Sequence, residues 1–493
     1  MTQMFTVKSV LKKLTFAIVG VVSLGFAVPG RADAADLENA LRATQDGARA
    51  QIIVRLKQQP AARAWSDART VADQKQTVTS ALDSATAAFN AIGVKVETKF
   101  ETLPYVGTTV DRQQLLSLMA SDAVDGVYVN TKERKAQAVG APVSPTGTIE
   151  RASLASSVPS IDVAAAWAKG YDGRGTTIAV IDGGFRTSHP MLAGRVISEA
   201  CFSANDPVFD TYTRCPSGVP GQIGAGAASN CPVGTRCDHG THVASIAMGN
   251  DGTNFGVARE ARLLPIDVFS EVRSAIDCSP DPAPCELTDS ITVLKALDYV
   301  NQVVVPYNIA AVNLSLGGRS YEGTCDTDPR REVIDMLRAK GVATTVATGN
   351  ESQSTKINAP SCVSSAVAVG ATNDQTAIAA SSNLSAATDV VAPGVNILAA
   401  SGQSNGLVTF SGTSMAAPHV AGAFAILRSV FIGKTVDEFE QSFKLTGQRA
   451  TRDNTAFYPK IQVNKAILRL QGRDIRNFNN VTTSANASLL GQS

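Results

Sequence analysis

The sequence has almost no net charge. Its 44 lysines and arginines face 43 aspartates and glutamates, a balance of +1 over 493 residues. A nucleic-acid binder shows a basic excess, so nucleic acid is not expected as a partner. Charged residues make up only 18% and hydrophobic ones 44%. That is too little charge, and too much apolar material, for a chain that stays unfolded. Cysteine is missing from the first 200 residues, and all eight fall between Cys201 and Cys362. No C-x-x-C pair occurs, so the usual zinc spacing is absent and no metal ligands are assigned. Histidine is scarcer still: His189, His239, His242 and His419 are the full set. Beyond the first thirty residues no apolar run is long enough to span a bilayer.

The first segment has a clear layout. Lys8, Lys12 and Lys13 precede an apolar stretch from Leu14 to Val28, and Ala32-Asp33-Ala34 supplies small residues for cleavage. This reads as a secretory signal peptide over residues 1–34. The apolar run is shorter than the ~20 residues of a spanning helix. Export is therefore expected, to the medium or the periplasm, with no membrane attachment after cleavage. An even cysteine count in an exported chain suggests disulfides. Cys278 and Cys285 bracket a Pro-rich turn and are expected to pair, followed by Cys325 with Cys362.

Residues 35–140 read as a small cysteine-free domain. Strands are expected at 51–57, within 94–110 and at 126–130, with helices at 69–90 and 112–120. The order β-α-β-β-α-β is ferredoxin-like, an α+β pattern. Residues 131 to 158 are richer in Ser, Pro, Gly and Ala and read as a linker or processing region, bounded at 141–159. From 160 to 470 short β-branched runs at 177–181, 262–268, 310–315, 342–348 and 366–370 alternate with helices at 289–300, 329–339 and 415–431. That predicts an α/β fold with a mainly parallel, doubly wound sheet. In such folds sites gather at the carboxyl ends of the strands. Residues 471–493 are rich in Asn, Ser and Thr and read as a loose tail.

A Ser-His-Asp mechanism would have to draw its base from four histidines. Ser414 lies in Gly412-Thr413-Ser414-Met415-Ala416, where a loop enters an apolar helix. A helix start offers free N–H groups to a developing oxyanion. On its local sequence alone Ser414 is more readily an N-cap. The G-x-S-x-G elbow is not matched, and only His419 follows, too near to act on Ser414. The base must come from upstream. His239, in Asp238-His239-Gly240-Thr241-His242, begins a helix whose dipole favours the neutral imidazole. A metal pair of His239 and His242 lacks the H-E-x-x-H pattern. His189, His242 and His419 read as structural. Asp182 ends the apolar strand Ile178-Ala179-Val180-Ile181, where a carboxylate is costly to bury unpaired. Orienting an imidazole would pair it. Asn350 ends another strand and could donate to an oxyanion; as readily it is a turn asparagine.

Taken together these segments resemble the subtilisin-like serine proteases. The matching stretches are AVIDGG, DHGTHVAS, NLSLGG, ATGNES, VAPGVNILAA and GTSMAAPHVAG, in that family's order Asp, His, Ser. The likeness covers residues 160 to 468, and the N-terminal unit resembles the family's inhibitory propeptide. It implies a secreted endopeptidase with Ser414 as nucleophile, His239 as base and acid, Asp182 as orienting group and Asn350 as oxyanion donor. It also implies that Ser315, Leu316 and Gly317 pair with the substrate backbone, and that Ala347, Thr348 and Gly349 wall the pocket before the scissile bond. Asp182 is followed by Gly-Gly where the family usually has Ser-Gly or Thr-Gly. Implied partners are protein or peptide substrates and the chain's own propeptide, with the enzyme a monomer. No cofactor is required; structural calcium is common in the family, but no ligand cluster here compels it. Glu351 beside the pocket leaves room for a preference for basic side chains. Two other functions remain open: an esterase using the same triad, and a catalytically silent binding protein on this fold.

Overall fold

A computed structural model of the chain describes residues 34–57, 68–136, 154–229, 238–454 and 456–473. The expected signal peptide, most of the linker, the tail beyond residue 473, and Cys231 and Cys237 lie outside them. The chain divides into two compact units: Met1–Arg63 with Ala72–Asn130, and Ala64–Val71 with Thr131–Ser493.

In the first unit α1 (Ala34–Ala43) precedes β1 (Ala50–Leu56), α2 (Ala68–Ala91), β2 (Thr98–Lys99), β3 (Tyr105–Val110), α3 (Arg112–Met119) and β4 (Val124–Val129). The sheet order is β2-β3-β1-β4, with β1 antiparallel to both its neighbours. Alternate residues of the β-branched strand β1, Ile52 and Val54, pack with Leu82 and Phe89 of α2 and Leu115 and Leu118 of α3. Asp111 caps α3 through a reciprocal box with Gln114, as a D-x-x-Q start allows.

The second unit is built on a ten-stranded sheet. Its central strands are β6 (Thr177–Asp182), β7 (Arg262–Asp267), β9 (Ile309–Leu314), β11 (Ala343–Ala347), β12 (Val367–Thr372) and β13 (Val390–Pro393), with β5 (Lys132–Lys135), β8 (Cys285–Asp289) and β10 (Leu316–Gly317) in a separate sheet. The central strands are parallel. Strands β6, β9, β11, β12 and β13 are buried along their whole length, which is why they read as unbroken apolar runs. The chain runs from β6 to β7 on one side, then returns to place β9 on the other side of β6. That reversal opens a crevice at the carboxyl ends of β6 and β9.

Helices α4 (Asp238–Met248), α5 (Ser290–Tyr307), α6 (Arg331–Ala339), α7 (Thr413–Val430) and α8 (Val436–Thr446) accompany the sheet. Every residue of α7 from Thr413 to Leu427 is buried. Phe424 meets Phe443 of α8 edge-on, ring centroids 5.2 Å apart; burying such a ring contributes about 1.5–3 kcal/mol. Thr435 and Glu438 cap α8 reciprocally.

Two segments depart from the sequence reading. Leu154–Ser157 is helical and starts the core of the second unit, because Leu154, Val158 and Ile161 are buried in it. Residues 131–136 belong to the second unit rather than to the N-terminal domain or a linker. Their strand β5 is held on both sides, by β10 and by β8. Disulfides join Cys201 to Cys215, Cys278 to Cys285 and Cys325 to Cys362. The last two are the expected pairs.

Candidate active site

Asp182 closes β6 and is fully buried. Its Oδ1 accepts from the Gly183 N–H at 2.7 Å and meets His239 Nδ1 at 2.7 Å. His239 is the second residue of α4. The helix start reaches the strand end because both carry glycine. A Cβ on Gly240 would lie 2.9 Å from the Gly184 carbonyl oxygen and 3.0 Å from that of Gly183. His239 Nε2 is buried and has no hydrogen-bond partner among the described residues.

Ser414 is the second residue of α7. Its hydroxyl donates to the Ser315 carbonyl at 3.2 Å. The structure therefore brings Asp182 and His239 into contact, while the Ser414 hydroxyl is turned to Ser315. Catalytic hydrogen bonds are often loose outside the reacting complex. Pro418 lies inside α7 and has no N–H for the Ser414 carbonyl four residues before it. Ser315 Oγ fills the place, donating to that carbonyl at 2.8 Å, and is itself positioned by Asn313 Nδ2 at 2.9 Å.

Asn350 faces the start of α7. Its Oδ1 accepts from the Thr413 N–H at 2.9 Å, which turns Nδ2 the other way. Nδ2 donates to the carbonyl of Ala136, and the Ser414 N–H donates to the same oxygen at 3.2 Å. The Ala136 N–H donates to the Ser315 carbonyl at 3.0 Å. Lys135 and Arg134 pair antiparallel with Leu316 and Gly317. A short strand thus lies in the crevice and ends with a carbonyl between two N–H donors beside Ser414. Sequence reasoning missed this segment, and only its position after the last strand of the first unit could have pointed to it.

On the other wall, Thr348 Oγ1 donates to the Asn383 carbonyl at 2.8 Å and Ala347 is buried in the core. Gly349 has φ 108°, and a Cβ there would come within 2.7 Å of Asn383, Asn358 and Glu351. A side chain at 349 is excluded on both counts. Glu351 Oε2 accepts from the Asn350 N–H at 3.0 Å and from the Asn358 and Asn383 amides. The carboxylate anticipated as a recognition group is committed to this network.

The other histidines are structural. His242 Nε2 bonds the Ile397 and Val408 carbonyls, His189 Nε2 the Gly406 carbonyl, and His419 bridges Met415 and Ser157. Burial pushes His242 down to about 3 and His419 down to about 4. Among the described residues no group of three or more His, Cys, Asp or Glu is placed to hold a metal ion.

A family model described as the subtilase family matches residues 173–472, more than half of the chain. The chain belongs to the subtilase family. By class this subtilase is a serine protease of the subtilisin-like type. The major intracellular serine protease of Bacillus subtilis is 29% identical over 53% of this chain and 71% of that protein. Subtilisin-like protease 3 of Pseudogymnoascus destructans is 34% identical over 53% of each chain. The extracellular protease of Xanthomonas campestris pv. campestris is 28% identical over 55% of this chain and 46% of that protein. The subtilase therefore spans about half the length of the latter two. Among solved structures, fervidolysin of Fervidobacterium pennivorans, a keratinolytic enzyme related to subtilisin, matches with a TM-score of 0.59 at 20% identity, over 86% of this chain and 62% of that one. At that identity the likeness concerns the fold alone.

Proposed function

We propose that this subtilase is an exported serine endopeptidase whose first substrate is its own Ala136–Gln137 bond. The observation that carries the reading is the Ala136 carbonyl, accepting from both Ser414 N–H and Asn350 Nδ2. Two donors on one carbonyl beside a serine make an oxyanion hole in the sense the chemistry needs. Export rests on the basic and then apolar start of the sequence.

In the proposed reaction the Ser414 hydroxyl rotates toward His239 Nε2, which takes its proton as Oγ attacks the Ala136 carbonyl carbon. Asp182 holds the imidazole through Nδ1 and stabilises its charged form. Asn350 Nδ2 and the Ser414 N–H hold the negative oxygen. His239 then gives the proton to the Gln137 nitrogen, the C–N bond breaks, and an acyl-enzyme remains on Ser414. Water, deprotonated by His239, releases the acid. Substrate chains would follow the same track, pairing with Ser315, Leu316 and Gly317 as an added strand, with Ala347, Thr348 and Gly349 opposite. Residues 35–136 act in this reading as an intramolecular inhibitor until they are released.

N-terminal sequencing of the secreted enzyme tests the assignment. The mature protein should begin at Gln137, or at a later residue after further trimming, and Ser414→Ala should keep residues 35–136 attached. Active enzyme that still begins near Ala35 would overturn the processing role.

A further inference from the structure

Four charged side chains, Lys132-Glu133-Arg134-Lys135, lead up to Ala136 in the crevice, and each meets an opposite charge. Lys135 pairs with Glu286, Arg134 with Asp281 at 2.9 Å, Glu133 with Arg330, and Lys132 with Asp289 at 4.0 Å. Burial separates them. The Arg134–Asp281 ion pair is 36% and 44% exposed and the Lys132 contact is long, so as ion pairs both contribute little; Arg134 Nη2 also donates to the carbonyls of Asp277, Cys278 and Ser279 at 2.6, 3.0 and 2.8 Å. Glu133 and Arg330 are 1% and 2% exposed, and Lys135 and Glu286 13% and 18%.

Among the described residues Arg330 is the largest fully buried side chain. Its Nε and Nη2 bind Asp328 at 2.8 and 2.6 Å, which leaves Nη1 for Glu133. Ser290 Oγ donates to the same Glu133 oxygen at 3.3 Å. Gly318 leaves the space: a Cβ there would stand 3.0 Å from Glu133 Cγ. Burial, with Asp328 nearby, pushes the Glu133 carboxyl up to about 7 against the pull of Arg330. Two positions on, Lys135 Nζ lies 4.9 Å from the centroid of the Phe269 ring. A Cβ on Gly183 would come 2.7 Å from Phe269 Cδ2 and 3.1 Å from Lys135 Cε. The unusual Gly183 after the aspartate therefore makes room for this lysine. Burial pushes Glu286 up, but Lys135 and Arg214 together hold it below the usual carboxylate range.

Disulfides pin the loops that bring these charges. Arg214 adjoins Cys215, Glu286 adjoins Cys285, and Asp328 and Arg330 follow Cys325. Charges fixed before a substrate arrives cost little ordering on binding.

We propose that Arg330 selects an acidic side chain at the fourth residue before the scissile bond and Glu286 a basic one at the second. The preferred substrates then carry an acid at the fourth residue and a base at the second, counted back from the cleaved bond. This rests on reading residues 132–136 as seated in the substrate track. An aliphatic fourth residue would leave Arg330 Nη1 buried without its acceptor, and a lysine would place a second cation against it; both are penalised in a dry site.

The test uses the purified, processed enzyme and internally quenched peptides containing Lys-Glu-Arg-Lys-Ala followed by a common leaving segment. Replacing the peptide's glutamate by leucine or alanine should lower kcat/KM at least about tenfold, and by lysine further. Replacing the second-position lysine by glutamate should lower it as well. In Arg330→Gln enzyme the glutamate-to-leucine ratio should fall toward one. Leucine or lysine cleaved as fast as glutamate by the wild type would overturn the proposal, as would casein cleavage with none of the peptides accepted. Failure on casein as well would instead remove the protease reading on which the proposal stands.

Discussion

Thr413 decides which way the Asn350 amide faces. Its N–H binds Asn350 Oδ1 at 2.9 Å, so Nδ2 faces the Ala136 carbonyl. If that donor acts mainly in the transition state, Asn350→Ala should lower kcat about 10²–10³-fold with little change in KM, the loss known for such a donor in a subtilisin. Peptide hydrolysis under saturating and subsaturating substrate separates the two constants; a rise in KM at unchanged kcat would assign Asn350 to ground-state binding. That Asp182 ends a strand and that His239 and Ser414 begin helices was legible in local patterns, but only the resemblance of the combined segments marked these three and Asn350 as candidates for chemistry. Arg330 was marked by neither. It has no motif, and the glutamate it binds lies 197 positions away, so only the folded chain discloses that the arginine is buried rather than exposed.

At the scale of elements, α7 holds a proline where an N–H is needed. Ser315, the residue after β9, supplies the missing donor to the Ser414 carbonyl. Ser315→Ala leaves that carbonyl without the bond, inside a fully buried turn, and should destabilise the protein by about 1–3 kcal/mol. Urea unfolding in a Ser414→Ala background, which prevents self-digestion, reads this as a lower midpoint at unchanged slope; a midpoint equal to that of the parent would contradict it. Five of the six central strands were legible because burial on both faces leaves a continuous apolar run, and their ends moved by only a residue or two; β13, four residues ending in a proline, was not marked. Strand β5 was not, since Lys132 to Lys135 are all charged. It is extended because β10 and β8 bind it from both sides, and its neighbours rather than its own residues set its shape.

For the molecule as a whole, buried imidazoles tie stability to pH. His242 and His419 are held neutral, at about 3 and about 4, chiefly by burial. Unfolded, each would take a proton near pH 6.5. Between 6.5 and those lower values the unfolded chain binds more protons, so this part of the stability is full above 6.5 and lost as pH falls. Each contributes up to about 1.4 kcal/mol per pH unit in its window. Asp267, raised to about 6 by burial, works in the opposite direction, so the clean readout is a difference. In the Ser414→Ala background, His419→Gln should flatten the loss of stability between pH 6.5 and 4; parallel curves would contradict it. The two-unit order was legible from the change of pattern along the chain, whereas the assignment of residues 131–136 to the second unit depends on contacts distant in sequence. Ser414 is the proposed nucleophile of an endopeptidase, and casein hydrolysis by the purified secreted protein with Ser414→Ala alongside tests that role most directly. Cleavage by the wild type and none by the variant is the predicted result. Equal cleavage by both, or none by a wild type freed of residues 35–136, would contradict it.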